Sequence, residues 1–272
     1  MHLLTWIVLF TAIGGALSAL AASVFLVVSP SLRARVLPHL VSFATGALLS
    51  AALLGLLPHA IESAGIANTH EIGLTLLGGL LLFFVLEKMV LWRHCHQDVC
   101  EVHVHPEPHA HAHNHQHDHE ERRNAASATL ILIGDGFHNV LDGVLIAAAF
   151  MTDVHLGVVT AIAVCAHEIP QEVGDLAILL NGGMSRMRAL TLNLLASVTS
   201  VLGGVVAYFA MAQVQEVLPN AIAIAASSFL YIAVADLIPG LHRKVDPGSG
   251  AWQFGFILLG ATVIYISHSL AH

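Results

Sequence analysis

Two short stretches hold residue types that do not belong in apolar sequence. GDGFHNVLDG (134–143) carries Asp135, His138, Asn139 and Asp142, and HEIPQEVGD (167–175) carries His167, Glu168, Gln171, Glu172 and Asp175. On a helix, Asp135, His138 and Asp142 are spaced i, i+3, i+7 and share one face, with Asn139 beside them. Glu168 and Glu172 are i, i+4, as are His167 and Gln171 on the adjoining edge. Five carboxylates and two imidazoles on two consecutive elements suggest either proton relay or binding of a divalent cation. The histidines favour the cation. Imidazole with carboxylate and amide oxygen suits Zn²⁺, Fe²⁺ or Mn²⁺, whereas Ca²⁺ and Mg²⁺ prefer all-oxygen cages.

The elements that hold these residues are membrane helices. Of 272 residues, 56% are hydrophobic and only 10% charged, with a mean hydropathy of +0.78, against about 25% charged in soluble domains. Apolar runs of roughly 20 residues, enough to cross a hydrocarbon core, recur along the chain. Eight spans are predicted: 4–28, 38–61, 72–92, 125–150, 156–180, 187–211, 218–240 and 252–270. The fold class is thus an all-α polytopic membrane protein. A β-barrel would alternate over about 10 residues instead. The first span lacks a basic leader and is expected to be a retained helix. A charge at the centre of such a span costs about 2.5–3.5 kcal/mol, so the carboxylates of spans 4 and 5 must face inward. Pro170 is expected to kink span 5 and free a backbone carbonyl, as broken helices do around transported ligands.

Charge placement predicts the topology. All ten Lys and Arg residues lie in or beside the connections between spans 1–2, 3–4, 5–6 and 7–8, while Glu62, Glu71, Asp153 and Glu216 mark the alternate ones. By the positive-inside rule, both termini are outside and the third connection is cytoplasmic. That divides the chain into spans 1–3 (1–92), a cytoplasmic loop (93–124) and spans 4–8 (125–272). The loop contains ten of the twenty histidines, at 94–119. So redundant a ligand tract suits metal buffering or sensing rather than one fixed site. Cys95 and Cys100 in the loop and Cys165 in span 5 are expected to stay unpaired.

Other intramembrane polar residues are weaker candidates. Asp135 and Asp175 fit outer-shell roles, and Asn139 and Gln171 taken singly fit interhelical hydrogen bonding as well as ligation. His59 and Asp236, near the ends of spans 2 and 7, are placed to line a way in or out, and Asn193 in span 6 to approach the site.

An intramembrane zinc protease is the alternative from another class, but its HExxH motif fails at Gln171 and Pro170 falls inside it. LDG (141–143) also precedes HE rather than following it. A cation-diffusion exporter fits poorly as well, since no soluble C-terminal domain follows the last span. HNVLDG followed by HEIPQEVGD on consecutive spans instead resembles the paired signature of the ZIP (Zrt/Irt-like) metal-transporter family, and most closely its LIV-type branch. Eight spans, outside termini and a His-rich loop between spans 3 and 4 are similar too. The resemblance implies a non-enzymatic importer of zinc or related divalent metals (Fe²⁺, Mn²⁺, Cd²⁺) with a two-metal site. It implies His138, Asn139, Asp142, His167, Glu168 and Glu172 as ligands, with Asp142 and Glu172 bridging. Gln171 departs from the pattern, which usually has histidine there. A homodimer in a bilayer, with metal ions and no nucleic acid as partners, is expected, and the expected host is a prokaryotic inner membrane. No resident cofactor is expected; the metal is cargo.

Overall fold

The computed structural model describes residues 2–95, 116–181, 184–212, 215–242 and 247–269. Most of the histidine tract, 96–115, lies outside the described residues, as do Gly182, Gly183, Arg243 and Lys244. The helices are α1 (Leu3–Val27), α2 (Pro30–Ser50), α3 (Leu57–Ala64), α4 (Thr69–Cys95), α5 (Gln116–Thr152), α6 (Val154–Asn181), α7 (Arg186–Met211), α8 (Leu218–Tyr231), α9 (Ile238–His242) and α10 (Pro247–Ser269). No strand occurs among the described residues. Seven helical segments are long and apolar enough to cross a membrane. The expected span not among them is span 5 (156–180), which is α6, whose 28 residues extend about 42 Å at 1.5 Å per residue. Length qualifies it, and its histidine and carboxylates are what lower its apolar character. α4 and α5 both reach into the connection expected at 93–124, the first to Cys95 and the second from Gln116.

Helix starts follow from local chemistry. Ser29 accepts a hydrogen bond from the Leu32 N–H, with Pro30 at the first helical position, and Ser185 accepts from Arg188 N–H. Each hydroxyl satisfies a donor the helix leaves open. Asp153 caps α6 by accepting from the backbone N–H groups of His155 (2.8 Å) and Leu156 (3.0 Å). Burial, the largest single influence, raises its carboxyl pKa, but those two bonds together with the nearby His155 and His59 imidazoles hold the group below its ordinary 3.8. A depressed carboxyl stabilises the fold fully above its unfolded value, about pH 4, and loses that contribution as pH falls through the lower native value. Asp153→Ala is therefore expected to cost about 1 kcal/mol, equally at pH 6 and pH 8. Thermal melts of the detergent-purified protein would show it, and an unshifted midpoint would mean the cap is idle.

Two spans are not continuous α-helix. α2 passes into a π-helical segment, Ala51–Leu56, before α3, and α8 passes into another, Ile232–Leu237, before α9. In each the wide turn is closed by an i→i−5 bond, from Leu57 N–H to the Ala52 carbonyl and from Ile238 N–H to the Ala233 carbonyl. Pro58 and Pro239 come next. A proline ring clashes with the carbonyl four residues back, and a widened turn relieves the clash without breaking the span. α6 continues as one helix through Pro170. The proline still removes one donor, so the Ala166 carbonyl loses its helical partner.

The helices pack as two groups. α5 lies along α7, α1 lies against α6 and α7, and α5 also touches α6. In the second group α10 lies along α2, and α4 and α3 lie against α8. Within each group backbones touch. A Cβ on Gly143 would sit 1.8 Å from the Ser200 carbonyl oxygen, and one on Gly46 would sit 1.9 Å from that of Ile257. Between the groups, α2 meets α6 and α5 meets α8, and Gly55 of the first π segment faces the Leu156 side chain of α6.

Candidate metal centre

The site lies where α5 faces α6. His138 and Asp142, one turn apart on α5, meet His167 and Glu168, adjacent on α6, with one ligand atom from each within 4.8 Å of the others. Neighbours on a helix point about 100° apart, so α6 reaches the centre from both flanks of its facing edge. His138 Nε2 and His167 Nε2 are 3.2 Å apart, with the rings nearly perpendicular at 88°. Asp142 Oδ2 is 3.7 Å from His138 Nε2 and 3.2 Å from His167 Nε2. Glu168 Oε1 is 3.6 Å and 3.7 Å from the same two nitrogens.

Those five separations match a coordination shell. Zinc bonds of 2.0–2.2 Å arranged tetrahedrally place neighbouring ligands about 3.3–3.6 Å apart. The tautomer fits as well. His167 Nδ1 donates to the Ala163 carbonyl at 3.3 Å, since a carbonyl can only accept, and this leaves Nε2 as the lone-pair atom facing the centre. Phe229 of α8 packs edge-on against the His167 ring at 6.3 Å and holds it in place.

Burial makes the cluster costly without a cation. Both carboxylate oxygens of Asp142 and of Glu168 are buried without a hydrogen-bond partner, and unpaired charge in a low-dielectric interior is strongly unfavourable. Exposure is one-sided. The side chains of Asp142, His167 and Glu168 are 1–3% exposed, whereas His138 is 24% exposed. His138 lines a cavity of about 380 Å³, with Gln171, Glu87 and Asp236 also on its wall.

The other sequence candidates fall around this centre. Asn139 turns its amide to Asp135, donating to its backbone carbonyl (3.2 Å) and its Oδ1 (3.0 Å). Glu172, wholly buried, faces α7, where Asn193 Nδ2 and the Ser197 hydroxyl (2.8 Å) donate to its carboxylate. Asn193 thus reaches Glu172, beside the four-residue centre. Asp175 is half-buried on α6. His59 donates from Nδ1 to the Gly55 carbonyl at 3.0 Å, just past the first π segment. Asp236 lies in the second π segment, on the cavity wall.

Sequence reasoning missed Ser197, Glu87 and Tyr231, whose hydroxyl donates to Glu87. The closeness of α5 and α7 had a signal in Gly143, Gly203 and Gly204, small residues that let membrane helices touch. Thr199 of α7 completes that contact by donating to the Gly136 carbonyl at 2.7 Å.

Together these features define a polytopic membrane protein with a buried imidazole–carboxylate cage suited to a transition-metal ion. The sequence model for the family described as ZIP Zinc transporter matches residues 2–268, and the chain belongs to that family. It is 34% identical to zinc transporter ZIP10 of Danio rerio over 149 residues, 50% of this chain and 18% of that protein. It is 42% identical to zinc transporter foi of Drosophila melanogaster over 120 residues, 44% and 17% of the two chains. Zinc transporter ZIP13 of Pongo abelii is 29% identical over 242 residues, 85% and 66% of the two chains. The chain therefore spans less than a fifth of the length of the first two relatives.

Proposed function

We propose that the protein carries Zn²⁺ across a membrane into the cytoplasm by alternating access, with His138, Asp142, His167 and Glu168 as the transport ligands. Fe²⁺, Mn²⁺ and Cd²⁺ are the related ions this donor set would accept. The observation that carries the reading is the near-tetrahedral spacing of four ligand atoms between α5 and α6, three of them on buried side chains. Family membership and the zinc-transporter names of the relatives support it.

The two helix groups supply the moving parts. The α1, α5, α6 and α7 group carries the cluster, and the α2, α4, α8 and α10 group walls the cavity opposite. The basic connections support an orientation with both termini outside and the histidine tract in the cytoplasm, where it would receive released ions. In that orientation Glu87, beside Lys88, supports reading the cavity as the cytoplasmic opening and the conformation as inward-open. The resemblance to ZIP proteins is the support for a homodimer and for a two-metal site that Asn139 and Glu172 would join after turning. A prokaryotic inner membrane is the proposed host.

Zinc uptake into proteoliposomes, with Co²⁺ absorption reporting the cluster, tests the scheme. In the present arrangement Glu172 anchors α6 to α7. Glu172→Ala is expected to stop uptake while the Co²⁺ spectrum of the four-residue cage survives. Loss of both would return Glu172 to the ligand set, and full uptake would remove it from the mechanism.

A further inference from the structure

An ion leaving the cluster through the cavity passes His138 and meets a wall made by the other helix group. Glu87 of α4 and Asp236 of the second π segment stand on that wall. Tyr231 is placed where α8 gives way to the π segment. Its hydroxyl donates to Glu87 Oε2, a charge-assisted bond of the stronger kind. Glu87 is exposed, and this bond ties its carboxylate to α8. Gln171, on the cluster's own side of the cavity, offers an uncharged oxygen and leaves Glu87 and Asp236 as the carboxylate acceptors opposite.

We propose that Tyr231 is a positioning residue for ion transfer: it holds the Glu87 carboxylate against the cavity, so that an ion dissociating from His138 meets an acceptor already aimed. The inference rests on reading the four-residue cluster as the transport site. Glu87 lowers the barrier between the cage and the open side without joining the cage. Loss of the Tyr231 hydroxyl therefore slows ions moving in either direction and leaves the equilibrium affinity of the cage unchanged. A residue that merely supported the fold would change affinity, spectrum or yield instead.

Stopped-flow Co²⁺ binding, and its release to a chelator, tests this with the full-length chain in detergent. In Tyr231→Phe, both rates are expected to fall together by about three- to tenfold, with affinity within about twofold and the Co²⁺ spectrum unchanged. Glu87→Gln should reproduce the slowing, and the double variant should be no slower than the slower single one. Unchanged rates overturn the proposal, as does a change in affinity or spectrum. Should Tyr231→Phe not fold, Glu87→Gln must show the slowing alone, or the proposal fails. Zinc uptake by the wild type decides the transport reading separately. A protein that binds Co²⁺ yet moves no zinc loses that reading while the rates still judge Tyr231. A wild type that binds no Co²⁺ overturns the cage and this inference with it.

Discussion

His167→Ala is expected to abolish zinc uptake and to weaken Co²⁺ binding by at least about 100-fold, since even outer-shell partners of metal ligands cost 10–100-fold. His167 is the best-fixed ligand of the four. It is 1% exposed, its Nδ1 proton is committed to the Ala163 carbonyl, and Phe229 blocks rotation of its ring. Alanine would remove the nearer of the two imidazoles beside Asp142 Oδ2 and leave a hole that neither carboxylate can fill. Two buried carboxylates would then face each other with one imidazole between them, and a bound cation would lose a quarter of its shell. The loss should appear as flattening of the Co²⁺ absorption together with the absence of flux in proteoliposomes. Uptake at the wild-type level would show that the ion travels elsewhere.

Gly143→Ala should be the most damaging change outside the cage. The added Cβ would lie 1.8 Å from the Ser200 carbonyl oxygen and 2.8 Å from the Gly204 nitrogen, and backbone atoms cannot swing aside as a side chain does. Overpacking typically costs about 1–3 kcal/mol, and more where the lattice is rigid. Here the facing Gly203, whose own Cβ would meet the Val140 carbonyl at 2.2 Å, leaves no slack. α7 must move outward, carrying Asn193 and Ser197 away from Glu172, so stability and uptake should fall together. The matched control is Gly73→Ala, where nothing lies within 4 Å and no loss is expected. A melting midpoint for Gly143→Ala equal to that of the control would contradict the packing argument.

The readable part of the site was the part governed by helical spacing and by the cost of membrane charge. His138 and Asp142 fall one turn apart, and no lipid-facing placement of Glu168 is tolerable, so their convergence follows from local rules. Glu172 obeys the same rules yet turns to α7, because a carboxylate at the edge of a helix goes to whichever donors come closest. Those donors are set by how near Gly143 and Gly203 let α7 approach, a tertiary fact. Ser197 has no signal of its own, since a membrane serine commonly bonds back within its helix, as this one also does to the Asn193 carbonyl. Tyr231 and Glu87 are 144 residues apart in sequence, beyond any spacing rule. α6 stays helical through Pro170, because losing one donor is tolerable where the neighbouring turns remain bonded. The π segments had a cue in Pro58 and Pro239, but the choice between a kink and a widened turn is made by packing.

The uneven exposure of the four ligands has a consequence for rate. With His138 the only one within reach of the cavity, an ion can step on or off at one face alone while this conformation lasts. Such a site cannot pass a continuous file of ions, so it cannot leak a gradient as a pore would. Throughput is capped by the exchange of helix groups, on the microsecond-to-millisecond scale of collective motion or slower. On the proposed transport reading, flux should therefore saturate with external metal, and a linear rise without saturation would contradict the one-sided site.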